Sequence, residues 1–68
     1  GRLQDAERLA RRALELYPTN AEHQDLLSRV LEASGDHEGA LAAARKAADY
    51  GYLYKEKYEK RLEALEAR

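Results

Sequence analysis

Apolar positions between Arg2 and Tyr17 fall at Leu3, Ala6, Leu9, Ala10, Ala13, Leu14 and Leu16. Spacings of three and four place them on one stripe of a helix, with Gln4, Glu7, Arg8, Arg11, Arg12 and Glu15 toward water. Pro18 cannot continue that helix and disfavours helical geometry at Tyr17. Thr19 or Asn20 is then the cap of a second helix, Thr19 as part of a Thr19-x-x-Glu22 capping box and Asn20 by residue type. This second helix is predicted over about Ala21 to Ser34, its stripe being Leu26, Leu27, Val30, Leu31 and Ala33. Gly35 suits the left-handed position after a helix end, and Asp36 can cap a third helix from about His37 to Tyr50. That helix carries Ala40, Leu41, Ala43, Ala44, Ala47 and Ala48, and Gly51 ends it. A fourth helix from about Tyr52 to Arg68 puts Leu53 or Tyr54, Tyr58, Leu62 and Leu65 on its packing side. No segment alternates with a period of two, so the chain is predicted to be all-α.

A second pattern lies over the first. Gly1, Ala6, Ala10 and Ala13 recur thirty-four residues later as Gly35, Ala40, Ala44 and Ala47. A period of that length marks stacked helical hairpins. Helices approach closely only where side chains are small, and each hairpin leaves a flank for its neighbour to cover.

These residues resemble the tetratricopeptide repeat, whose pattern is W-x2-L-G-x2-Y, then A-x3-F, A and P. Residues 19–52 match one whole repeat, through Gln24, Leu27, Ser28 and Leu31 and then Ala40, Ala44 and Ala47. Residues 1–18 match the second helix of a preceding repeat, with Ala13 to Pro18 the most specific stretch. Residues 53–68 form the last segment, of which 55–68 continue the register, Tyr58 falling in the aromatic slot, and Leu65, Glu66 and Ala67 repeating Leu31, Glu32 and Ala33. There are departures. Gln24 replaces Trp, Ala44 a larger residue, and Tyr52 stands where Pro is expected. Arg61 and Leu62 occupy slots for a large apolar and a small residue, which reads as a terminal cap. The resemblance implies stacked antiparallel hairpins in a right-handed α-solenoid fragment of about four helices. It also implies that partner proteins or peptides bind along a surface lined by the first helix of each hairpin. On that surface Glu22, Asp25, Arg29 and Glu32 are the candidates, read mainly as a solvated face with an Asp25–Arg29 pair and alternatively as a mildly acidic groove that prefers basic or polar peptides. The Lys, Asn and Arg clamp of the family's chaperone-tail binders is missing, since Asp25 and Arg29 hold two of its positions. The chain opens on the motif glycine, which reads as a piece cut within a repeat.

Composition narrows the function. Thirteen alanines and eleven leucines supply most of the apolar residues, with no Phe, Trp, Met or Cys. A core of that kind is thin and encloses no large ligand. The net charge of -1 provides no basic excess for nucleic acid. No apolar run approaches the roughly 20 residues of a membrane span, and the default expectation is a cytoplasmic chain. His23 and His37 form no i,i+4 pair and no Cys is present, and His23 with nearby Glu22 is too weak a signal for a metal site. Ser28 and Ser34 have no base placed by a motif, Glu59, Glu63 and Glu66 form a solvated stripe, and Gly35 and Gly39 belong to turns and packing. The expectation is therefore a scaffold without catalysis, cofactor or metal that binds a protein or peptide. The alternative is a self-assembly module, in which the uncovered flank of the first helix (Leu3, Leu9, Leu14 and Leu16), with Tyr54 and Tyr58, packs against another copy. Tyr17 and the tyrosines from Tyr50 to Tyr58 read mainly as packing residues.

Overall fold

Pro18 stops the first helix as its chemistry requires. In a computed structural model that describes residues 1–68, α1 runs Arg2–Leu16, α2 Ala21–Ala33, α3 His37–Tyr50 and α4 Lys55–Glu66. No strand is present. Of the two possible caps, Asn20 holds α2, its Oδ1 accepting from the His23 backbone N–H at 3.0 Å. The α2–α3 turn satisfies the helix end through two backbone bonds: Gly35 N–H donates to Glu32 C=O at 3.1 Å, and Asp36 N–H to Leu31 C=O at 2.9 Å. This Schellman arrangement needs a residue in the left-handed region, and Gly35 takes φ +91°. Asp36 then caps α3 by accepting from Gly39 N–H at 2.9 Å.

The short turn folds α3 back antiparallel along α2, and this is the most extensive packing in the molecule. Ser28 and Ala40 meet where the two helices cross, both with no exposed surface. Ala43, Ala44, Ala47 and Ala48 continue the buried face of α3. Alanine at these positions brings the backbones of its neighbours close, α2 on one side and α4 on the other. Two apolar clusters result. Ala10, Leu27, Leu31, Ala40 and Ala43 form the first, with Leu14 against it. Ala47, Ala48 and Tyr58 form the second, with Ala21 and Leu62. The molecule measures 31 × 29 × 14 Å. Its thinnest dimension matches two helix layers about 8–10 Å apart.

Two expectations change here. The single stripe of α1 splits into two faces. Ala10 is buried and Leu14 half-buried against the first cluster, whereas Leu9 and Leu16 point outward, each 69% exposed. The fourth helix does not begin at Tyr52. Residues Tyr52–Tyr54 form a 3₁₀ turn, and Tyr54 N–H donates to Gly51 C=O at 3.1 Å. The tighter winding leaves Leu53 and Tyr54 exposed and off the face that Tyr58, Leu62 and Leu65 continue. Gly51 has an ordinary negative φ of -92°. It is glycine for want of space, because the Tyr58 ring lies directly on its Cα and a Cβ would also sit 2.8 Å from the Ala47 carbonyl.

Candidate functional site

Asp25 is where α2 meets α4. Its carboxylate is 8% exposed at the residue level and is held from two sides. Arg29, one turn on in α2, donates from Nε to Oδ2 at 2.9 Å. Arg61 of α4 brings its Nε to 3.3 Å from Oδ1. The same guanidinium donates from Nη2 to Ser28 Oγ at 3.3 Å, and Ser28 Oγ donates to the Ala40 carbonyl at 2.8 Å. A polar chain thus runs from α2 through α4 to the backbone of α3. The Arg61 Nε–H is shielded from water and lacks a well-aligned acceptor, so its contact with Asp25 is an ion pair without a directed hydrogen bond. Burial lowers the Arg61 pKa, with the attraction of Asp25 opposing and the repulsion of Arg29 assisting. Burial also raises the Tyr58 pKa, with the charges of Asp25 and Glu22 and the neighbouring Tyr54 acting in the same direction.

A second link lies farther along, where Arg68 pairs with Glu32, which also meets His37 Nδ1 at 3.3 Å. The Asp25–Arg61 and Glu32–Arg68 pairs are equally separated in sequence, so α2 and α4 run side by side in the same direction. Between them lies an open groove of about 470 Å³, walled by Glu22, His23, Asp25, Leu26 and Arg29 of α2 and by Lys57 and Tyr58 of α4. Leu26 lines it as a half-exposed side chain, and the Lys57 ammonium sits 5.8 Å from the centre of the Tyr58 ring.

Of the four residues assigned to a binding face, Glu22, Asp25 and Arg29 lie on this groove and Glu32 does not. Glu32 is taken up by Arg68 and His37. The solvated-face reading of Asp25 is corrected, because Arg61 folds over the carboxylate and closes it from water. The acidic character expected of α2 alone does not extend to the groove, whose lining sets Arg29 and Lys57 against Glu22 and Asp25. Lys57 was not legible as a groove residue. Arg61 had left a signal, a charge in a slot that called for a large apolar side chain. Gln24 is buried and donates from Nε2 to the Pro18 carbonyl at 3.4 Å.

The six residues assigned to self-association separate as well. Leu3, Leu9, Leu16 and Tyr54 are exposed. Leu14 is corrected to a packing residue, half-buried against the first cluster, and Tyr58 takes the packing role that is its main reading, only 5% exposed in the second. Tyr17 is exposed, its ring tilted toward His23 at 6.1 Å, rather than packed between helices. Besides a shallow hollow of about 330 Å³ over Arg11, Leu14 and Glu15 of α1, two other concavities exist. The wider, about 630 Å³, follows the single continuous stretch Leu53–Lys60 and is a surface hollow rather than a cleft between elements. The smaller, about 200 Å³, lies between the start of α2 and the tyrosines around Gly51. No three His, Cys, Asp or Glu side chains gather closely enough to hold a metal ion. No helix is long and apolar enough to cross a membrane.

No family model matches the chain, and neither a curated protein nor a solved structure matches it.

Proposed function

We propose that the chain is a protein-interaction scaffold of the tetratricopeptide type, docking a peptide segment in the groove between α2 and α4. The observation that supports this is the parallel run of these two helices, which together wall one open groove. Parallel first helices are what a repeat of helical hairpins places on one surface. The groove has the parts a peptide site needs. Leu26 and the Tyr58 edge offer apolar contact, while Glu22 and Lys57 on opposite walls have no ion-pair partner within the chain. Asp25 is already neutralised by Arg29 and Arg61. The free positive charge on the α4 side favours a peptide that sets an acidic side chain near Lys57 and an apolar one on Leu26. The chemistry of this reading is binding, and the fully buried Ser28 hydroxyl is committed to the Ala40 carbonyl and Arg61.

Screening a peptide library against the wild type, Lys57→Glu and Glu32→Lys tests this reading. The expected result is a shift of the selected peptides from acidic toward basic in Lys57→Glu, with Glu32→Lys leaving selection unchanged. A library that yields no binder, or binders indifferent to Lys57→Glu, rejects the groove.

A second reading is favoured by the outward face of α1. Leu9 and Leu16 are large, apolar and 69% exposed, which suits association with another copy. Light scattering over a dilution series separates the two. A strict monomer counts against self-assembly, and a melting temperature that rises with concentration supports it.

A further inference from the structure

Three of the four tyrosines around Gly51 stay in water. Tyr50 ends α3, Tyr52 and Tyr54 bound the 3₁₀ turn, and all three are exposed, whereas Tyr58 is buried. With Leu53 and Glu22 they line the hollow of about 200 Å³ at the start of α2. One wall is firm, since the Tyr58 ring is fixed by Ala47 and Ala48 and by the space that Gly51 leaves for it. No two of the four rings pair with each other, the close aromatic pair of the molecule being Tyr17 with His23. The three exposed rings are therefore available to a guest.

Charge sets the sign of that guest. Glu22 is the only charged residue on the lining, and it has no ion-pair partner within the chain. The start of α2 and the end of α3 meet here, so their helix dipoles offset and Glu22 decides the local charge. Lys55 and Lys57 line the neighbouring concavities and not this one. A tyrosine ring also presents a negative face that attracts cations. Rings and carboxylate thus favour the same sign. The kind of cation follows from hydration. A lysine ammonium is compact and strongly hydrated, and a guanidinium brings five N–H donors to satisfy. Neither exchanges water for aromatic rings as readily as a trimethylammonium group, which has no N–H and spreads its charge over methyls. The volume lies below the roughly 300–1,000 Å³ of a pocket that encloses a drug-sized ligand, and suits one such group at the end of a side chain.

We propose that the hollow takes the trimethylammonium group of a methylated lysine in the docked peptide. The inference rests on the peptide-scaffold reading and names a side chain that the peptide carries. Continuity favours a peptide as the source. Glu22 and Tyr58 line both the hollow and the groove between α2 and α4, so a segment lying in the groove passes the edge of the hollow.

Amide NMR titrations with choline and with its neutral isostere 3,3-dimethylbutan-1-ol, at constant ionic strength, test the site. Choline is expected to shift the amides of Glu22 and of residues 51–54 with a dissociation constant on the order of 1 mM, and the alcohol to bind at least about tenfold more weakly. Tyr52→Leu removes a ring and Glu22→Gln a charge, and each should weaken choline binding by about threefold or more. Tyr52→Phe keeps the ring and should bind choline as the wild type does. Tyr52 is 80% exposed, so circular dichroism should show its variants as helical as the wild type. The peptide library, made once with lysine and once with trimethyl-lysine, tests the source. The wild type is expected to select the methylated form by about threefold or more, and Tyr52→Leu to lose that preference. Choline that binds no tighter than the alcohol, or that ignores Tyr52→Leu and Glu22→Gln, overturns the site. Binders that respond to Lys57→Glu but ignore lysine methylation overturn the inference and leave the groove standing. A library without binders rejects the groove, and choline binding alone would then overturn the peptide as the source.

Discussion

Asp25, Arg61 and Tyr58 carry most of what is particular to this chain, and each combines a structural and a site role. Replacing Asp25 with Ala strands the shielded Arg61 guanidinium, with Arg29 adding repulsion, and a loss of about 3 kcal/mol is expected in urea unfolding. Replacing Arg61 with Met in that background removes the stranded charge and should recover most of the loss. A cost below about 0.5 kcal/mol for Asp25→Ala, the level of an ordinary surface change, would show that the pair is not structural. Tyr58 gives a signature in alkali. Its folded-state pKa lies above the ordinary value of 10.0, because burial and nearby negative charge disfavour the phenolate. The folded state therefore holds its proton more tightly than the unfolded state, and the associated stability is whole below pH 10. As pH rises through the folded value, that contribution is lost. Urea midpoints of wild type and Tyr58→Phe should run in parallel below pH 10 and diverge above it, the variant falling less steeply. Parallel curves throughout would remove Tyr58 as the cause.

The four helices differ in how far they were legible in advance. The α2–α3 pair followed from local signals: Thr19 or Asn20 and then Asp36 as caps, Gly35 past a helix end, and alanines at crossing spacing, all of which act within a few residues. The stripe of α1 was legible only as a stripe. Which of its leucines turn inward depends on where α2 lies, and a helical period cannot say. The same limit hid the groove, since Lys57 belongs to it only because α4 runs alongside α2. The start of α4 was misplaced because Gly51 does two jobs. It ends α3 and also admits the Tyr58 ring, and that contact fixes where α4 can begin. Gly51→Ala would set a methyl against the ring and the Ala47 carbonyl. A loss of about 2 kcal/mol is expected from the forced shift. Tyr58→Ala removes the obstacle, so the two changes together should cost less than their sum, a coupling that a double-mutant cycle measures. Strict additivity would mean that the ring is not what excludes the methyl.

At the scale of the molecule, few residues hold the two layers together. Fifteen of 68 residues are buried, and five of these are alanines of α3. Stability is therefore concentrated in the α2–α3 pair, with α1 and α4 each leaning chiefly on one neighbour. The two outer helices are not equivalent. α4 is tied down by Tyr58 in the second cluster and by the Arg61 and Arg68 pairs to α2. α1 contributes one fully buried side chain, Ala10, and leaves three leucines exposed. Amide hydrogen exchange at low protein concentration should rank protection as α2 and α3 first, α4 next and α1 last, because local opening follows the apolar contact each helix would lose. On the self-assembly reading, raising the concentration should slow exchange in α1 selectively, since only there would association add contacts to a helix that opens on its own. Equal protection of α1 and α4 at high dilution would mean that the polar ties of α4 add nothing to its packing. A uniform gain across all four helices on concentration would place the contact between copies elsewhere than on α1.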